Sequence, residues 1–354
     1  MSEIFVNIKG NETNYPIYIK NEPILDLKEK ILEKINGENY LVVISEKVEK
    51  LYGKKFDFPK KNKFILKDGE KEKNFNTYQK IMTRALELKL TRKSSIIAIG
   101  GGVCGDLSGF VASTYMRGVN LIQIPTTLLA CVDSSVGGKT AIDTKFGKNL
   151  IGTFYQPKFV FINPLFLKTL DDRQFKSGLG EVVKYSFIEK SCKADIEYNL
   201  TNLLTEKYHE ILQRDEKILA NLIEICVNLK KSVVEKDEKE SGLRRILNFG
   251  HTYGHAVEKI NNYKKYTHGE AVVEGMKFAF ELALKKNLID KNYKFFAEDV
   301  IKKFDFPILP KYKIEKMTEL MKTDKKAEKD KIIFVLPTDY SVVCCFEIIN
   351  KNVC

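Results

Sequence analysis

The sequence predicts an α/β fold with a mostly parallel sheet in the first half of the chain and a mainly helical second half. Before about residue 170, short apolar, β-branched runs alternate with polar segments of helical period, which is typical of parallel sheets. After that point the helical segments lengthen, and only IIFVLP and YSVVCCF near the C-terminus have the pattern of strands. With no linker or repeat between the two patterns, we expect two domains, residues 1–170 and 171–354.

Each expected element is short, apolar and followed by a turn or a polar segment. The strands predicted in the first domain are Tyr40–Ile44, Lys63–Leu66, Ser95–Ile99, Asn120–Ile124 and Phe159–Ile162. The long helices predicted in the second are Arg173–Ser191 and Asp215–Glu235.

Composition excludes several classes of protein. The chain has 354 residues, 44% of them hydrophobic, and a net charge of +12. Its lysines are scattered among glutamates rather than set in a stripe, so we expect no nucleic-acid partner. The first residues lack the apolar core of a signal peptide, and no run has the length of a membrane span, so we expect a cytoplasmic protein without a membrane partner. Seven cysteines without a repeated CxxC spacing predict free thiols.

The segment SSIIAIGGGVCGDLSGFVAS carries a glycine pattern between a strand and a helix. Gly100, Gly102 and Gly105 match GxGxxG, which lets a backbone approach a pyrophosphate at a helix N-terminus. A tight turn alone could also use these glycines. No acidic residue follows about twenty positions later to bind a ribose, although the turn at Asp68–Lys71 could do so.

A second segment, IPTTLLACVDSSVGGKTAIDTKFGKNLIGTF, concentrates hydroxyls, lysines and glycines in what we interpret as a loop. Lysines beside glycines can approach a phosphate or a polyhydroxylated ligand closely. A polar turn before a helix is the alternative. The segment GGKT lacks the earlier glycine of a Walker A loop, so a P-loop nucleotidase is disfavoured.

Metal-ligand chemistry is suggested by histidines, since three of the four lie within NFGHTYGHAVEKINNYKKYTHGE. His251 and His255 are spaced to share a helix face, and a catalytic metal takes about three protein ligands. We therefore expect a trio drawn from His251, His255, His268 and a carboxylate, against the alternative of core or capping histidines. Glu181 and Lys184, three apart in the apolar helix GLGEVVKYSFI, are either a solvated ion pair or a buried carboxylate that needs a cation.

Taken together, these segments resemble the 3-dehydroquinate synthases, within the sugar phosphate cyclases. The resemblance runs in order through GGGVCGDLSGFVAS, YMRG, IPTTLLACVDSSVGGKTAID, GKNLIG, GLGEVVKY, KKSVVEKDEKESGLRRILNFGHTYGHAVE and HGEAVVEGM, with DKK near the C-terminus. It implies an NAD-binding α/β domain, a helical metal-binding domain, an active site in the cleft between them and a homodimer.

The resemblance also implies roles for individual residues. It assigns the zinc ligands, with cobalt as an alternative metal, to Glu181, His251 and His268, and moves His255 to the substrate. Its substrate positions are Arg117, Asp133, Lys139, Lys148, Asn149, Lys184, Lys230, Arg244, Asn248 and His255, with Lys325 or Lys326. Its NAD positions are Glu70, Lys71, Gly101, Gly102, Gly105, Asp106, Thr126 and Thr127, with Asp133, Lys139 and Lys148 contributing. Where the family often has an aspartate for the nucleotide, this chain has Ser45, Glu46 and Lys47, so the adenosine contact is left open.

The implied reaction converts the sugar phosphate 3-deoxy-D-arabino-heptulosonate 7-phosphate to 3-dehydroquinate and phosphate in the shikimate route. It proceeds by transient oxidation with NAD, β-elimination of phosphate, reduction, and an intramolecular aldol closure. Three alternatives remain. They are a cyclase acting on another sugar phosphate, a zinc- or iron-dependent polyol dehydrogenase of similar fold, and a basic binding protein with a vestigial site.

Overall fold

A computed structural model describes residues 2–8, 14–36, 38–322 and 331–349. Contacts divide the chain into two compact units, Met1–Leu170 and Asp171–Cys354.

The first unit is built on a seven-stranded sheet with the order β1-β2-β9-β6-β5-β3-β4. All of its pairings are parallel except that of β1 with β2. The strands of this unit are β1 (Ser2–Val6), β2 (Tyr15–Ile19), β3 (Tyr40–Ser45), β4 (Lys63–Leu66), β5 (Ser95–Gly100), β6 (Asn120–Pro125), β7 (Lys139–Thr144), β8 (Gly147–Phe154) and β9 (Phe159–Ile162). The mostly parallel sheet expected from the sequence is confirmed, and all five predicted strands are present.

Four helices cover the two faces of this sheet. They are α1 (Leu27–Lys34), α2 (Glu46–Phe56), α3 (Phe75–Glu87) and α4 (Gly102–Thr114). Helices α1 and α2 pack with Val42 and Ile97 on one face, whereas α3 and α4 pack with Val43 and Ile96 on the other. The connections that leave the neighbouring strands β3 and β5 therefore go to opposite faces. Where neighbouring strands send their connections to opposite faces, a crevice opens at the carboxyl ends of the two strands. Doubly wound sheets bind their ligands in this crevice.

The segment interpreted as a loop is instead folded. It forms a helical turn, Ala130–Ser134, followed by the antiparallel hairpin of β7 and β8. The hairpin escaped prediction because β8 is largely exposed and lacks apolar alternation.

The second unit is mainly helical, as expected. Its helices are α5 (Asp172–Ile188), α6 (Leu200–Glu206), α7 (Tyr208–Leu212), α8 (Glu216–Lys236), α9 (His251–Ile260), α10 (His268–Lys285), α11 (Lys291–Lys302) and α12 (Ile314–Lys322), and its strands are β10 (Lys331–Asp339) and β11 (Val342–Ile349). Across the described residues, no helix is long and apolar enough to cross a membrane.

Glycines allow α5, α9 and α10 to approach one another closely. A Cβ atom at Gly269 would lie 1.9 Å from the carbonyl oxygen of Ser177, and one at Gly180 would lie 2.6 Å from that of Gly269. A Cβ atom at Gly254 would lie 2.9 Å from the carbonyl oxygen of Ala271. Since no side chain fits at these contacts, the backbones of the three helices meet there.

Candidate active site

The close approach of these three helices brings one carboxylate and two imidazoles together. Glu181 lies in α5, and His251 and His268 are the first residues of α9 and α10. Oε1 of Glu181 is 3.5 Å from Nε2 of His251 and 3.3 Å from Nε2 of His268. One ligand atom from each residue lies within 4.8 Å of the other two. A carboxylate with two imidazoles is a donor set suited to a catalytic zinc ion, which leaves a further position for substrate.

His255 lies beside this trio without belonging to it. Its ring centroid is 5.4 Å from that of His251 and 6.3 Å from that of His268. The four-residue spacing therefore predicts proximity to His251, whereas the ligand set depends on packing between helices. His209, in contrast, is exposed.

Both candidate ligand histidines are oriented by their local structure. Nδ1 of His251 lies 3.1 Å from the carbonyl oxygen of Phe249, and the preceding residue, Gly250, has a φ of +78°. His268 follows a capping box in which Thr267 and Glu270 exchange hydrogen bonds. The box fixes the first turn of α10, and hence the position at which the His268 ring leaves the helix.

Lys184 forms an ion pair with the carboxylate of Glu181. Its Nζ donates a hydrogen bond to Oε2 of Glu181, and both side chains are fully buried. The sequence left open whether this pair is solvated, and the structure shows it buried. Burying an ion pair costs free energy of desolvation unless further charged or hydrogen-bonding groups interact with it.

The surroundings move the pKa values of the two histidines in opposite directions. Burial lowers the pKa of His251, which outweighs the attraction of Glu181. Burial also disfavours the charged form of His268, but Glu258 and Glu181 outweigh it and raise the pKa of His268. A neutral imidazole at His251 has a lone pair available for a cation.

Three further candidate substrate residues lie at and beyond the end of α8. Lys230 and Arg244 are buried, and Nδ2 of Asn248 donates to Oε1 of Glu240 at 2.7 Å. The turn that carries Arg244 is held by Asp237, whose Oδ2 accepts the backbone N–H of Arg244 at 2.9 Å. Burial alone would raise the pKa of Asp237, but the backbone N–H groups of Arg244, Gly242 and Ser241 outweigh burial and lower it.

In the first unit, the glycine loop lies at the crevice between β3 and β5. Gly101 precedes α4 directly, and a Cβ atom there would lie 3.1 Å from Cγ2 of Thr127. A Cβ atom at Gly102 would lie 3.1 Å from Oγ of Ser134. The side chains of Thr127 and Ser134 therefore lie close to these glycines. No side chain caps the N-terminus of α4, and uncapped backbone N–H groups at a helix N-terminus suit a pyrophosphate. The backbone N–H of Thr126 donates to the carbonyl oxygen of Gly100 at 3.0 Å and joins the next strand to this loop.

Sequence reasoning missed Lys73, which connects several candidate residues. Its Nζ lies 2.5 Å from Oδ2 of Asp106 and 2.5 Å from Oδ1 of Asn149. Burial disfavours its charge, but Asp106 and Glu70 outweigh burial and raise the pKa of Lys73. The sequence places Lys73 in the acidic turn DGEKEK, which has the composition of an ordinary solvated turn and so gave no sign of a buried lysine. Lys73 is 3% exposed, so that interpretation does not apply to it.

The remaining candidates of the first unit lie in its helices, turns and hairpin, where Lys139 begins β7 and Lys148 lies in β8. Lys148 lies 3.6 Å from Glu70, Gly105 lies in α4, and Asp133 lies in the helical turn after β6. Arg117, Lys71 and Lys139 are exposed. Lys325 and Lys326 lie outside the described residues.

A doubly wound sheet with an uncapped helix N-terminus, and a helical unit in which two histidines meet a buried glutamate, define a candidate metalloenzyme of the α/β class. Models of two domain families match the chain: 3-dehydroquinate synthase N-terminal over residues 63–177, and 3-dehydroquinate synthase C-terminal over residues 178–327. The chain belongs to the 3-dehydroquinate synthase family.

Individual relatives agree with this placement. A 3-dehydroquinate synthase of Prochlorococcus marinus subsp. pastoris is 41% identical, and the match covers 99% of this chain and 97% of the relative. Among solved structures, a 2-deoxy-scyllo-inosose synthase complexed with carbaglucose-6-phosphate, NAD+ and Co2+ superimposes with a TM-score of 0.85 at 24% identity, covering 99% and 98% of the two chains. A 2-epi-5-epi-valiolone synthase from Streptomyces hygroscopicus with NAD+ and Zn2+ bound gives a TM-score of 0.82 at 22% identity, covering 97% and 95%. At these identities the two structures show the fold.

Proposed function

We propose that this protein is a 3-dehydroquinate synthase that converts 3-deoxy-D-arabino-heptulosonate 7-phosphate to 3-dehydroquinate and phosphate, with NAD and zinc as cofactors and cobalt as an alternative metal. The observation that carries the proposal is the cluster of Glu181, His251 and His268 with ligand atoms within 4.8 Å of one another, in a chain of this family. When bound, the metal supplies a Lewis acid for a substrate hydroxyl, and NAD supplies a hydride acceptor that is restored in each turnover.

The residues around the cluster have roles that follow from their chemistry. Lys184 donates a buried hydrogen bond to Oε2 of Glu181 and so orients the carboxylate that would hold a cation. Arg244, Asn248 and His255 offer guanidinium, amide and imidazole groups for the phosphate and carboxylate of the substrate. Lys230 is a further cation for the same purpose.

In the first unit, we assign NAD to the crevice at the ends of β3 and β5. Gly101, Gly102 and Gly105 accommodate the pyrophosphate, and Asp106, Thr126 and Thr127 supply polar groups beside it. Glu70 and Lys71 belong to the same nucleotide site. Lys73 holds Asp106 and Asn149 in place. Among the substrate contacts of this unit we place Arg117, Asp133, Lys139, Lys148 and Asn149.

One competing function, from another reaction class, is that of a zinc- or iron-dependent polyol dehydrogenase. Such an enzyme would release NADH as a product. A cyclase for another sugar phosphate is the nearer competitor. The combination of Lys230, Asn248 and His255 supports the heptulosonate over other sugar phosphates, because it matches the pattern of the family to which the chain belongs.

One assay tests the proposal against both competitors. The purified chain receives zinc, NAD in excess over the chain, and the heptulosonate phosphate, glucose 6-phosphate or a polyol. We expect phosphate release and a cyclic ketone with the heptulosonate alone, without net absorbance of NADH. Net NADH formation would support a dehydrogenase, and turnover of glucose 6-phosphate would support the other cyclase.

The proposal includes a cytoplasmic homodimer. Free cysteines, six of which lie among the described residues, are usual in reducing compartments. The hairpin of β7 and β8 exposes Phe146, Leu150, Ile151 and Phe154, which are from 37% to 81% exposed. A strand that exposes apolar side chains in a two-stranded sheet is suited to contact with a second copy. Sedimentation should show a dimer for the wild type and a monomer for Phe154→Asp, whereas a monomeric wild type would contradict the assignment.

A further inference from the structure

Glu258 is a buried carboxylate next to a candidate metal ligand. It lies in α9, seven residues after His251 and therefore two helical turns along the same face. Its side chain is 8% exposed, and Oε2 lies 3.4 Å from Nδ1 of His268. Burying a carboxylate costs free energy unless it has partners, and this imidazole is one of them.

The two ring nitrogens of His268 face two different carboxylates. Nε2 lies 3.3 Å from Oε1 of Glu181, and Nδ1 lies against Glu258. With a cation in the candidate site, a proton on Nδ1 donated to Glu258 would leave the lone pair of Nε2 for that cation. Rotation of the ring would break the contact with Glu258.

His251 has the same arrangement with a different acceptor. Its Nε2 is directed toward Oε1 of Glu181, and its Nδ1 lies 3.1 Å from the carbonyl oxygen of Phe249. Both rings thus present Nε2 to the cluster and Nδ1 to an oxygen atom. For His251 the acceptor belongs to the backbone, whereas for His268 it is a side chain that can be replaced.

We propose that Glu258 is a positioning residue that fixes the tautomer and orientation of His268 and thereby strengthens metal binding. This inference rests on the proposed function, since it requires the metal to lie between Glu181, His251 and His268. Carboxylates that accept a hydrogen bond from a ligand imidazole raise its basicity, and their loss usually weakens metal affinity about 10- to 100-fold.

The test measures zinc release rather than catalysis. Full-length wild type, Glu258→Ala, Glu258→Gln and Glu274→Ala are loaded with zinc, and the transfer of zinc to a coloured chelator is followed over time. Glu274 is the matched control, because it lies in α10, pairs with Lys277 at 3.5 Å and is not part of the cluster of Glu181, His251 and His268. The visible spectrum of the cobalt-loaded proteins reports the ligand geometry independently.

We expect Glu258→Ala to release zinc about 10- to 100-fold faster than wild type. Glu258→Gln should be intermediate, because its amide oxygen still accepts from Nδ1 but carries no charge, and Glu274→Ala should match wild type. Should the alanine variant fail to fold, the isosteric glutamine variant decides, and release at the wild-type rate overturns the inference. If the wild type holds zinc and both Glu258 variants release it at the wild-type rate with an unchanged cobalt spectrum, only the role of Glu258 is overturned. A wild-type chain that holds no zinc overturns the metal site, and the inference with it.

Discussion

The substitution Gly269→Ala tests whether backbone contact between α5 and α10 builds the metal site. The added Cβ atom would lie 1.9 Å from the carbonyl oxygen of Ser177 and 2.6 Å from its carbonyl carbon. Because carbon and oxygen atoms rarely approach closer than about 3.3 Å, the two helices must separate locally by about 1.4 Å.

This separation acts directly on the ligands. Ser177 lies one helical turn before Glu181 in α5, and Gly269 adjoins His268 in α10. Metal–ligand distances tolerate only about 0.2 Å, so a displacement of about 1.4 Å should weaken zinc binding strongly. Overpacking should also lower the free energy of unfolding by about 1–3 kcal/mol. For a unit of this size, that corresponds to a fall in Tm of about 2–12 °C.

Thermal unfolding and chelator competition measure the two effects on one preparation. Gly53→Ala is the control, because its Cβ atom would meet only the carboxylate end of the Glu49 side chain, in the other unit. This change should leave zinc binding intact and shift stability by no more than about 1 kcal/mol. If Gly269→Ala binds zinc and melts like wild type, the close approach of α5 and α10 does not position the ligands.

Three further predictions concern other residues. Asp237→Asn should lower the free energy of unfolding by about 1–3 kcal/mol at pH 7, because hydrogen bonds to a charged acceptor are lost. Since the folded-state pKa of Asp237 is lowered, its contribution is present above about pH 4 and is lost as the pH falls through that pKa, so denaturant titrations of the two proteins should converge in acid. Lys73→Gln should weaken NAD binding, measured by calorimetry, because Asp106 loses a cation at 2.5 Å, and an unchanged affinity would contradict the proposed link. His255→Ala should keep its zinc and lose activity moderately, whereas His251→Ala should lose both, as metal analysis beside the phosphate-release assay will show.

Four of the five predicted strands are buried along most of their length, whereas β4 is not, and β1 and β2, whose burial alternates, were not predicted. Strands such as Ser95–Gly100 are fully buried and β-branched, so their sequences differ from their surroundings. The hairpin of β7 and β8 was missed because its exposed second strand, with glycine and lysine at its start, has no such pattern.

In the candidate site, too, the sequence predicted some features and missed others. Helical spacing placed His251 and His255 near each other, but Glu181 comes 70 residues earlier in the chain, and no periodicity relates it to them. Contact between helices brings it to His251 and His268, and that contact depends on glycines whose sequence signal is weak. The resemblance to a known family supplied the trio that residue spacing alone left open.

The most direct test of the account is a crystal of the chain grown with zinc and NAD, measured on both sides of the zinc absorption edge. We predict one anomalous peak per chain, with Nε2 of His251 and of His268 about 2.0–2.1 Å from it and a carboxylate oxygen of Glu181 about 2.0–2.2 Å from it. A peak bound by His255 in place of His268, or no peak near Glu181, would contradict the assignment of the metal centre.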